Sequence, residues 1–247
     1  MRIAVAGGTG VLGSHVVRAL EDDGHETVVL SRGRGTDVRT GDGLAEALAG
    51  THAVVDALSV TTIRRRAAVD FFAATTRNLL AAGAAAGVRH HVAVSVVGCD
   101  VVDYGYYLGK RAQEALVTTG TVPWTVLRAT QFHEFAGQVV DASPGPVALV
   151  PRMASQPVAA AEVGGVVARI AAGAPAGQLQ MGGPELHDIP DLARRQLRAE
   201  GRRRLVVPVR LPGAVGRQMA SGALVPDEPT YRGTTTYDAW LSDRSGP

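Results

Sequence analysis

A doubly wound parallel α/β sheet is the fold that this 247-residue sequence predicts. Three observations carry it. Short β-branched runs alternate with longer helical stretches. The runs are continuously apolar, as strands covered on both faces are. A glycine-rich segment, GGTGVLG at 7–13, stands between the first run and the first helix. Right-handed crossovers then wind the sheet in both directions from its first strand.

In chain order, 3–6 is the first strand and 11–21 the first helix, with Val16, Val17 and Leu20 on one side. Residues 27–30 make the next strand. A short third strand is expected just before Asp42, and a helix over 43–49. Strands follow at 53–58, 91–95 and 125–127, with helices over 65–86, 107–119 and 161–172 between and after them. Beyond about residue 130, Pro144, Pro146, Pro151 and Pro157 break the pattern into short pieces. Residues 185–217 hold eight arginines, read as a solvated face. The segment 231–241 docks as a strand and short helix through Tyr237, Trp240 and Leu241. The expectation is a single domain, 1–247: a dinucleotide-binding core at 1–130, then a mainly substrate-binding portion at 131–247.

Composition narrows the function. Hydrophobic residues are 46% and charged residues 19%, a globular balance. Lys and Arg number 25 against 23 Asp and Glu, and a surplus of +2 gives no reason to expect a nucleic-acid partner. One cysteine excludes a disulfide framework and a multi-cysteine zinc site. No metal is expected, because consecutive His90 and His91 on a strand point to opposite faces. The first apolar run, 3–6, falls short of a signal-peptide core of about 7–15 residues. The longest, 79–88, is half of the roughly 20 a membrane span needs. These point to a cytoplasmic protein with no membrane partner.

The glycines at 7, 10 and 13 stand directly after a strand and before a helix. Gly7 permits the tight turn, Gly10 lets backbone approach a pyrophosphate, and Gly13 lets the helix pack close to the strand. The anion sits on free N–H groups at the positive end of the helix. An NAD site places a carboxylate at the end of the second strand, to hold the ribose 2′-hydroxyl. This chain has Ser31-Arg32 there, with Arg34 two residues on. A guanidinium matches a 2′-phosphate, so NADP(H) is expected rather than NAD(H). Arg32 stacking on adenine is the alternative. Asp42 either accepts a bond from the adenine amino group or caps the helix after it.

The segments VAGGTGVLG at 5–13, SRG at 31–33, VSVVG at 94–98 and YYLGKRAQEAL at 106–116 carry a resemblance, joined by PWTVLRATQFHEF at 123–135, QPV at 156–158 and GGPE at 182–185. The chain resembles an atypical short-chain dehydrogenase/reductase of the NmrA-like NAD(P)H-binding type. That resemblance implies a Rossmann-like fold with a small C-terminal substrate-binding portion. It implies a cofactor set of Gly7, Thr9, Gly10, Val11, Leu12, Gly13, Ser31, Arg32, Asp42, Ala57, Leu58, Ser59, Lys110, Ala129, Thr130, Gln131 and Phe132. Members include carbonyl and quinone reductases, and redox-sensing proteins.

Tyr106 and Lys110 have Y-x-x-x-K spacing, which places both on one helix face. A free tyrosine, with a pKa near 10, is a poor acid at neutral pH, and a lysine beside it stabilises the phenolate. Tyr106 then donates a proton to a carbonyl oxygen, and Lys110 holds the ribose. A helix that starts late puts Tyr107 in that place instead. If the tyrosines only pack, Lys110 holds the ribose alone. Ser95 resembles the serine that polarises the carbonyl, or else satisfies a strand-end backbone group. Substrate contacts are expected from Tyr104, Phe132 and His133, the last a donor or simply a polar residue at a helix start. The aromatics Tyr104, Phe132, Phe135 and Tyr231 suggest an apolar or aromatic substrate.

The expected function is an NADPH-dependent reductase of a small carbonyl or quinone, with Tyr106 and Lys110 assisting proton transfer. The alternative is a non-catalytic NADP(H)-binding redox sensor. A nucleotide-sugar epimerase ranks last, because only about 115 residues follow the 125–127 strand. A monomer or a homodimer is expected.

Overall fold

The computed structural model describes residues 1–244. Strand β1 (Arg2–Ala6) leads into helix α1 (Val11–Asp22), then β2 (Glu26–Leu30), α2 (Leu44–Leu48), β3 (Ala53–Asp56), α3 (Arg65–Ala85), β4 (His90–Val96), α4 (Gly105–Thr119) and β5 (Trp124–Ala129). The chain continues through α5 (Phe135–Asp141), β6 (Val147–Pro151), β7 (Ala154–Ser155), α6 (Ala160–Ala172), β8 (Gly177–Gly182) and β9 (His187–Asp188). It closes with α7 (Ile189–Ala199), β10 (Leu205–Val209), α8 (Gly213–Ala220), β11 (Tyr231–Arg232) and α9 (Tyr237–Arg244).

The main sheet has seven strands in the order β11-β8-β5-β4-β3-β1-β2. The pairs β1·β2, β1·β3, β3·β4 and β8·β11 are parallel. The chain reverses its direction of winding between β2 and β3, on either side of β1. Register fixes what happens there. Ala6 is the partner of both Leu30 and Asp56. The loops that begin at Gly7, Ser31 and Ala57 therefore leave the carboxyl edge of the sheet side by side, where doubly wound folds bind ligands.

The chain divides into two compact units. The first holds Met1–Arg128 and Ala160–Leu179, so α6 belongs with the core rather than with the portion after residue 130. Ala4, Ala6 and Val54 share a buried cluster with Leu44, Leu48 and Leu79 of α2 and α3. Side-chain alternation turns Ile3, Val5 and Val55, all fully buried, to the other face. Helices α1 and α6 pack together there, and α6 lies on β3 and β4. Gly164 permits their approach, because a Cβ on it would fall 2.6 Å from His15 Cβ. Gly105 and Gly109 do the same for α3 and α4. Added Cβ atoms would lie 2.0 Å from the Ile63 oxygen and 2.6 Å from the Phe72 ring.

The second unit holds Ala129–Ala159 and the chain from Gln180 onward. It contains a parallel pair, β6·β10, and an antiparallel pair, β7·β9. Its arginines bear out the solvated-face reading: Arg202 pairs with Asp141 and Glu200, Arg194 with Asp191 and Arg195 with Asp238. The expected strand and helix at 231–241 form as β11 and α9.

Two strand expectations need correction. No sheet strand lies between β2 and Asp42; Asp37 and Asp42 form only an isolated bridge that closes a turn. β3 stops at Asp56 rather than at 58, because the Leu58 N–H turns back onto Asp56 Oδ1 at 3.2 Å.

Candidate functional site

The glycine loop has the shape its spacing predicts, and each glycine has a separate reason. Gly7 has φ +78°, and a Cβ there would sit 2.8 Å from the Ala57 oxygen. Gly13 begins the packing of α1 on the loop: its Cβ would lie 2.1 Å from the Gly7 oxygen. Gly10 differs, since its Cβ would meet only the Gly7 oxygen, at 3.2 Å, and otherwise open space. Gly10 N–H donates to the Gly7 oxygen at 2.9 Å, and the first intrahelical bond runs from Ser14 N to the Gly10 oxygen. The N–H groups of Val11, Leu12 and Gly13 precede that bond, so they stand at the positive end of α1. Thr9 and Val11 are exposed, whereas Leu12 anchors the helix in the core.

At the end of β2, Ser31 opens a 3₁₀ turn, Arg32–Arg34, closed by Gly35 at φ +79°. Arg32 and Arg34 are exposed, and neither makes an ion pair or side-chain hydrogen bond among the described residues. Asp42 does not cap α2: Gly43 holds the cap position with φ +71°, and no side chain caps it. The Asp42 carboxylate accepts the Thr40 hydroxyl at 2.8 Å.

The third side is built by the loop after β3 and by α4. Helix α4 starts at Gly105, so Tyr106 is its second residue and Tyr107 its third. Tyr106 reaches the Ser59 hydroxyl, Oη to Oγ 3.1 Å, with its ring edge-on to Phe72 at 5.6 Å. Tyr107 is 7% exposed and packs against the rings of Tyr104 and Tyr106. Tyr104, half-buried just before α4, has its pKa raised by burial. Lys110 departs from expectation. Its Nζ donates to the Val94 oxygen at 2.8 Å, to Gln113 Oε1 at 3.0 Å and to the Leu58 oxygen at 3.2 Å. These use all the donors an ammonium has. The Phe72 ring centroid lies 4.3 Å away. Lys110 is 3% exposed, and the Tyr106 hydroxyl bonds Ser59 instead of its ammonium.

Ser95 is likewise diverted. It is 2% exposed, and its Oγ lies 3.6 Å from Cys99 Sγ rather than beside Tyr106. Cys99 donates to Glu114 Oε1 at 3.2 Å, and Glu114 takes two bonds from Arg128, at 2.9 and 2.7 Å. Burial pushes the Cys99 thiol up to about 12, and the Glu114 charge adds to this, so Cys99 is an inert packing residue. Burial works against the Arg128 charge, but its bonds to Glu114 and Asp100 outweigh that and raise its pKa.

In the second unit, backbone groups of Thr130 and Gln131, both in the expected cofactor set, are engaged. Thr130 N–H donates to the Met181 oxygen, and the Gln131 oxygen accepts from Val158. The Thr130 hydroxyl bonds the Gln156 oxygen, and Ser155 bonds Gln131 Oε1. Phe132 bridges to Val158 and is half-buried, and Ala129 is buried. His133 is not placed as a substrate donor. It is 1% exposed, its ring lies against Tyr237 and Trp240 at 5.3 and 5.4 Å, and Nε2 sits 3.1 Å from the Thr235 oxygen. Its role is to seat α9.

Sequence reasoning missed Asp56, Gln113, Glu114 and Phe72. The signal for Asp56 was a lone acid in the apolar run AVVDAL. Gln113 and Glu114 stand three and four residues after Lys110, on its helix face.

A family model described as NAD(P)H-binding matches residues 7–172. The chain belongs to this NAD(P)H-binding family. The family's match spans the glycine loop, Tyr104, Tyr106, Tyr107 and Lys110, in agreement with the short-chain dehydrogenase/reductase resemblance. No curated protein sequence matches the chain. Among solved structures, an NADPH-dependent quinone oxidoreductase from Escherichia coli, complexed with NADPH, is 19% identical with TM-score 0.74, covering 99% of this chain and 100% of that one. A triphenylmethane reductase from Citrobacter sp. is 16% identical with TM-score 0.70, covering 99% of each chain. A nucleoside-diphosphate-sugar epimerase from Staphylococcus aureus is also 16% identical with TM-score 0.70, covering 98% of this chain and 99% of that one. At these identities the likeness is one of fold. No helix among the described residues is long and apolar enough to cross a membrane.

Proposed function

We propose that this chain binds NADP(H) and reduces a small apolar or aromatic carbonyl or quinone, as a cytoplasmic enzyme. The observation that carries the cofactor choice is the pair Arg32 and Arg34. They are exposed and unpaired among the described residues, on a loop that leaves the sheet beside the glycine turn. The cradle fits a dinucleotide, because Gly7 and Gly13 admit no side chain and Gly10 leaves its outer side open. In this reading the N–H groups at the start of α1 hold the pyrophosphate and Arg32 holds the 2′-phosphate. When bound, the cofactor supplies the hydride. Tyr106 Oη, held by Ser59, donates the proton to the substrate oxygen. The similarity to an NADPH-dependent quinone oxidoreductase and to a triphenylmethane reductase supports an NADPH-dependent reductase.

A second reading, a redox sensor that holds NADP(H) without turnover, is favoured by one observation. Lys110 and Ser95 are both turned to other partners, so Tyr106 is held by the Ser59 hydroxyl alone of the polar groups its motif brings near. Calorimetric titration with NADPH and NADH, with Arg32→Ala alongside, tests the cofactor. NADPH is expected to bind more tightly than NADH, and Arg32→Ala to weaken NADPH by about tenfold or more, the scale of a charge-assisted hydrogen bond. Equal affinity for the two cofactors overturns the NADP(H) choice, and no binding of either overturns both readings. NADPH oxidation with quinones and aromatic ketones then separates the reductase from the sensor.

A further inference from the structure

Asp56 closes strand β3 and is fully buried, an unusual place for an acid in an otherwise apolar run. Its carboxylate takes two donors: Leu58 N–H on Oδ1 at 3.2 Å and Gln113 Nε2 on Oδ2 at 2.8 Å. Gln113, also fully buried, thereby has its amide oriented. Nε2 faces Asp56, and Oε1 faces the Lys110 ammonium at 3.0 Å. Lys110 is the only lysine in the sequence; the other 24 of the 25 basic residues are arginine. A compact ammonium directs its three donors tetrahedrally, whereas the donors of a guanidinium lie in one plane.

We infer that Asp56 and Gln113 are positioning residues for Lys110: the buried carboxylate orients the Gln113 amide, and the amide oxygen fixes the ammonium against the loop that carries Ser59 and, through it, the Tyr106 hydroxyl. This deepens the proposed function and rests on it only for its effect on the cofactor. The hydrogen-bond pattern makes the arrangement exacting. Asp56 must accept twice. An asparagine there has one acceptor and one donor end, so it opposes either Leu58 N–H or Gln113 Nε2 with another donor. If the Gln113 amide then turns over, its Nε2 meets the ammonium. A glutamate in place of Gln113 sets two carboxylates against each other. The two substitutions together restore the pattern. The new carboxylate at position 113 accepts from Lys110 on one oxygen and from the new amide at position 56 on the other.

That complementarity is the test. Asp56→Asn, Gln113→Glu and the double variant are compared with the parent by two measurements. The first is the rate at which an amine-acylating reagent modifies the one lysine, read by mass spectrometry, and it needs no cofactor. The second is NADPH affinity by calorimetry. In the parent, acylation of Lys110 is expected to be slow. Each single variant should be modified about tenfold faster or more and bind NADPH about tenfold more weakly, the scale of one lost buried hydrogen bond to a charged group. The double variant should return to within about threefold of the parent in both. Unchanged acylation in the single variants overturns the proposal, and so does a double variant no better than the worse single. Should the singles fail to fold, the double decides alone: it must fold and protect Lys110 as the parent does. If the acylation pattern holds while the parent binds no NADPH, the positioning stands and the cofactor reading falls.

Discussion

Gly10 and Gly13 are three residues apart, yet alanine at each should fail in a different way. A Cβ at Gly13 lies 2.1 Å from the Gly7 oxygen, 2.6 Å from the Gly7 carbonyl carbon and 2.7 Å from Gly8 Cα. The first contact is about 1.3 Å short of the 3.4 Å at which ordinary packing begins. All these atoms are backbone and cannot swing aside, so α1 or the loop must move. Overpacking of this kind costs about 1–3 kcal/mol or more, and alanine returns at most about 1 kcal/mol in helix propensity. The expected net loss is about 2 kcal/mol, or roughly 4–8 °C in Tm for a chain of this size. At Gly10 the backbone is extended, with φ −84° and ψ 177°, which alanine adopts freely. Its Cβ meets one atom, at 3.2 Å. Stability should change by less than about 1 kcal/mol, the scale of an N-cap substitution. The methyl group, however, stands on the open side where a pyrophosphate must approach. NADPH affinity is expected to drop about tenfold or more, the equivalent of roughly 1.4 kcal/mol. Thermal unfolding and NADPH calorimetry on both variants check this. A folded Gly10→Ala protein that binds NADPH within twofold of the parent would refute the cradle, and a Gly13→Ala protein with an unchanged Tm would refute the packing argument.

Tyr106→Phe should leave NADPH affinity unchanged and lower NADPH oxidation with a ketone by about a hundredfold, the smaller end of general-acid effects; equal rates would remove Tyr106 as proton donor. Glu114→Gln leaves the Arg128 guanidinium, 7% exposed, with only Asp100 as an ionic partner among the described residues. Breaking a buried pair in this way should destabilise by about 3 kcal/mol, seen as a lower urea midpoint. The buried His90 and His91 have pKa values lowered chiefly by burial, the Asp56 charge only partly opposing this at His91. The unfolded chain then binds more protons than the folded one below the ordinary value of about 6.5, so stability is full above that pH and declines below it. The slope from His91 is at most about 1.4 kcal/mol per pH unit, and His91→Leu should flatten urea midpoints measured between pH 7 and 5; parallel curves for parent and variant would contradict this.

What was legible followed from periodicity and glycine chemistry. Helices α1, α3, α4 and α6 and the five strands β1 to β5 were readable from their apolar patterns, although β3 and β5 have no glycine or proline just after them to mark their ends. Of the elements after β5, only α6, β11 and α9 were expected. β6 is VALVP, with Val147 and Leu149 exposed, and α7 is an 11-residue amphipathic helix whose three arginines break up its apolar residues in sequence, so neither shows a continuous buried run. In the candidate site, the glycines and Arg32 were readable because their places depend on backbone geometry and exposure and owe nothing to other side chains. Ser95, Lys110 and His133 were placed by motif, and their orientation depends on partners distant in sequence. Cys99 takes the first, the Asp56–Gln113 pair the second, and Tyr237 with Trp240 the third. A motif names a residue type at a position. Which way its polar atoms point is set by the buried groups that need a partner most, since an unmatched donor or acceptor in the interior costs about 1–3 kcal/mol. In this chain Asp56, with no exposure at all, sets that demand. It draws Gln113 and through it Lys110, so the same spacing that predicts a lysine beside a tyrosine yields one tied to three acceptors on the chain itself.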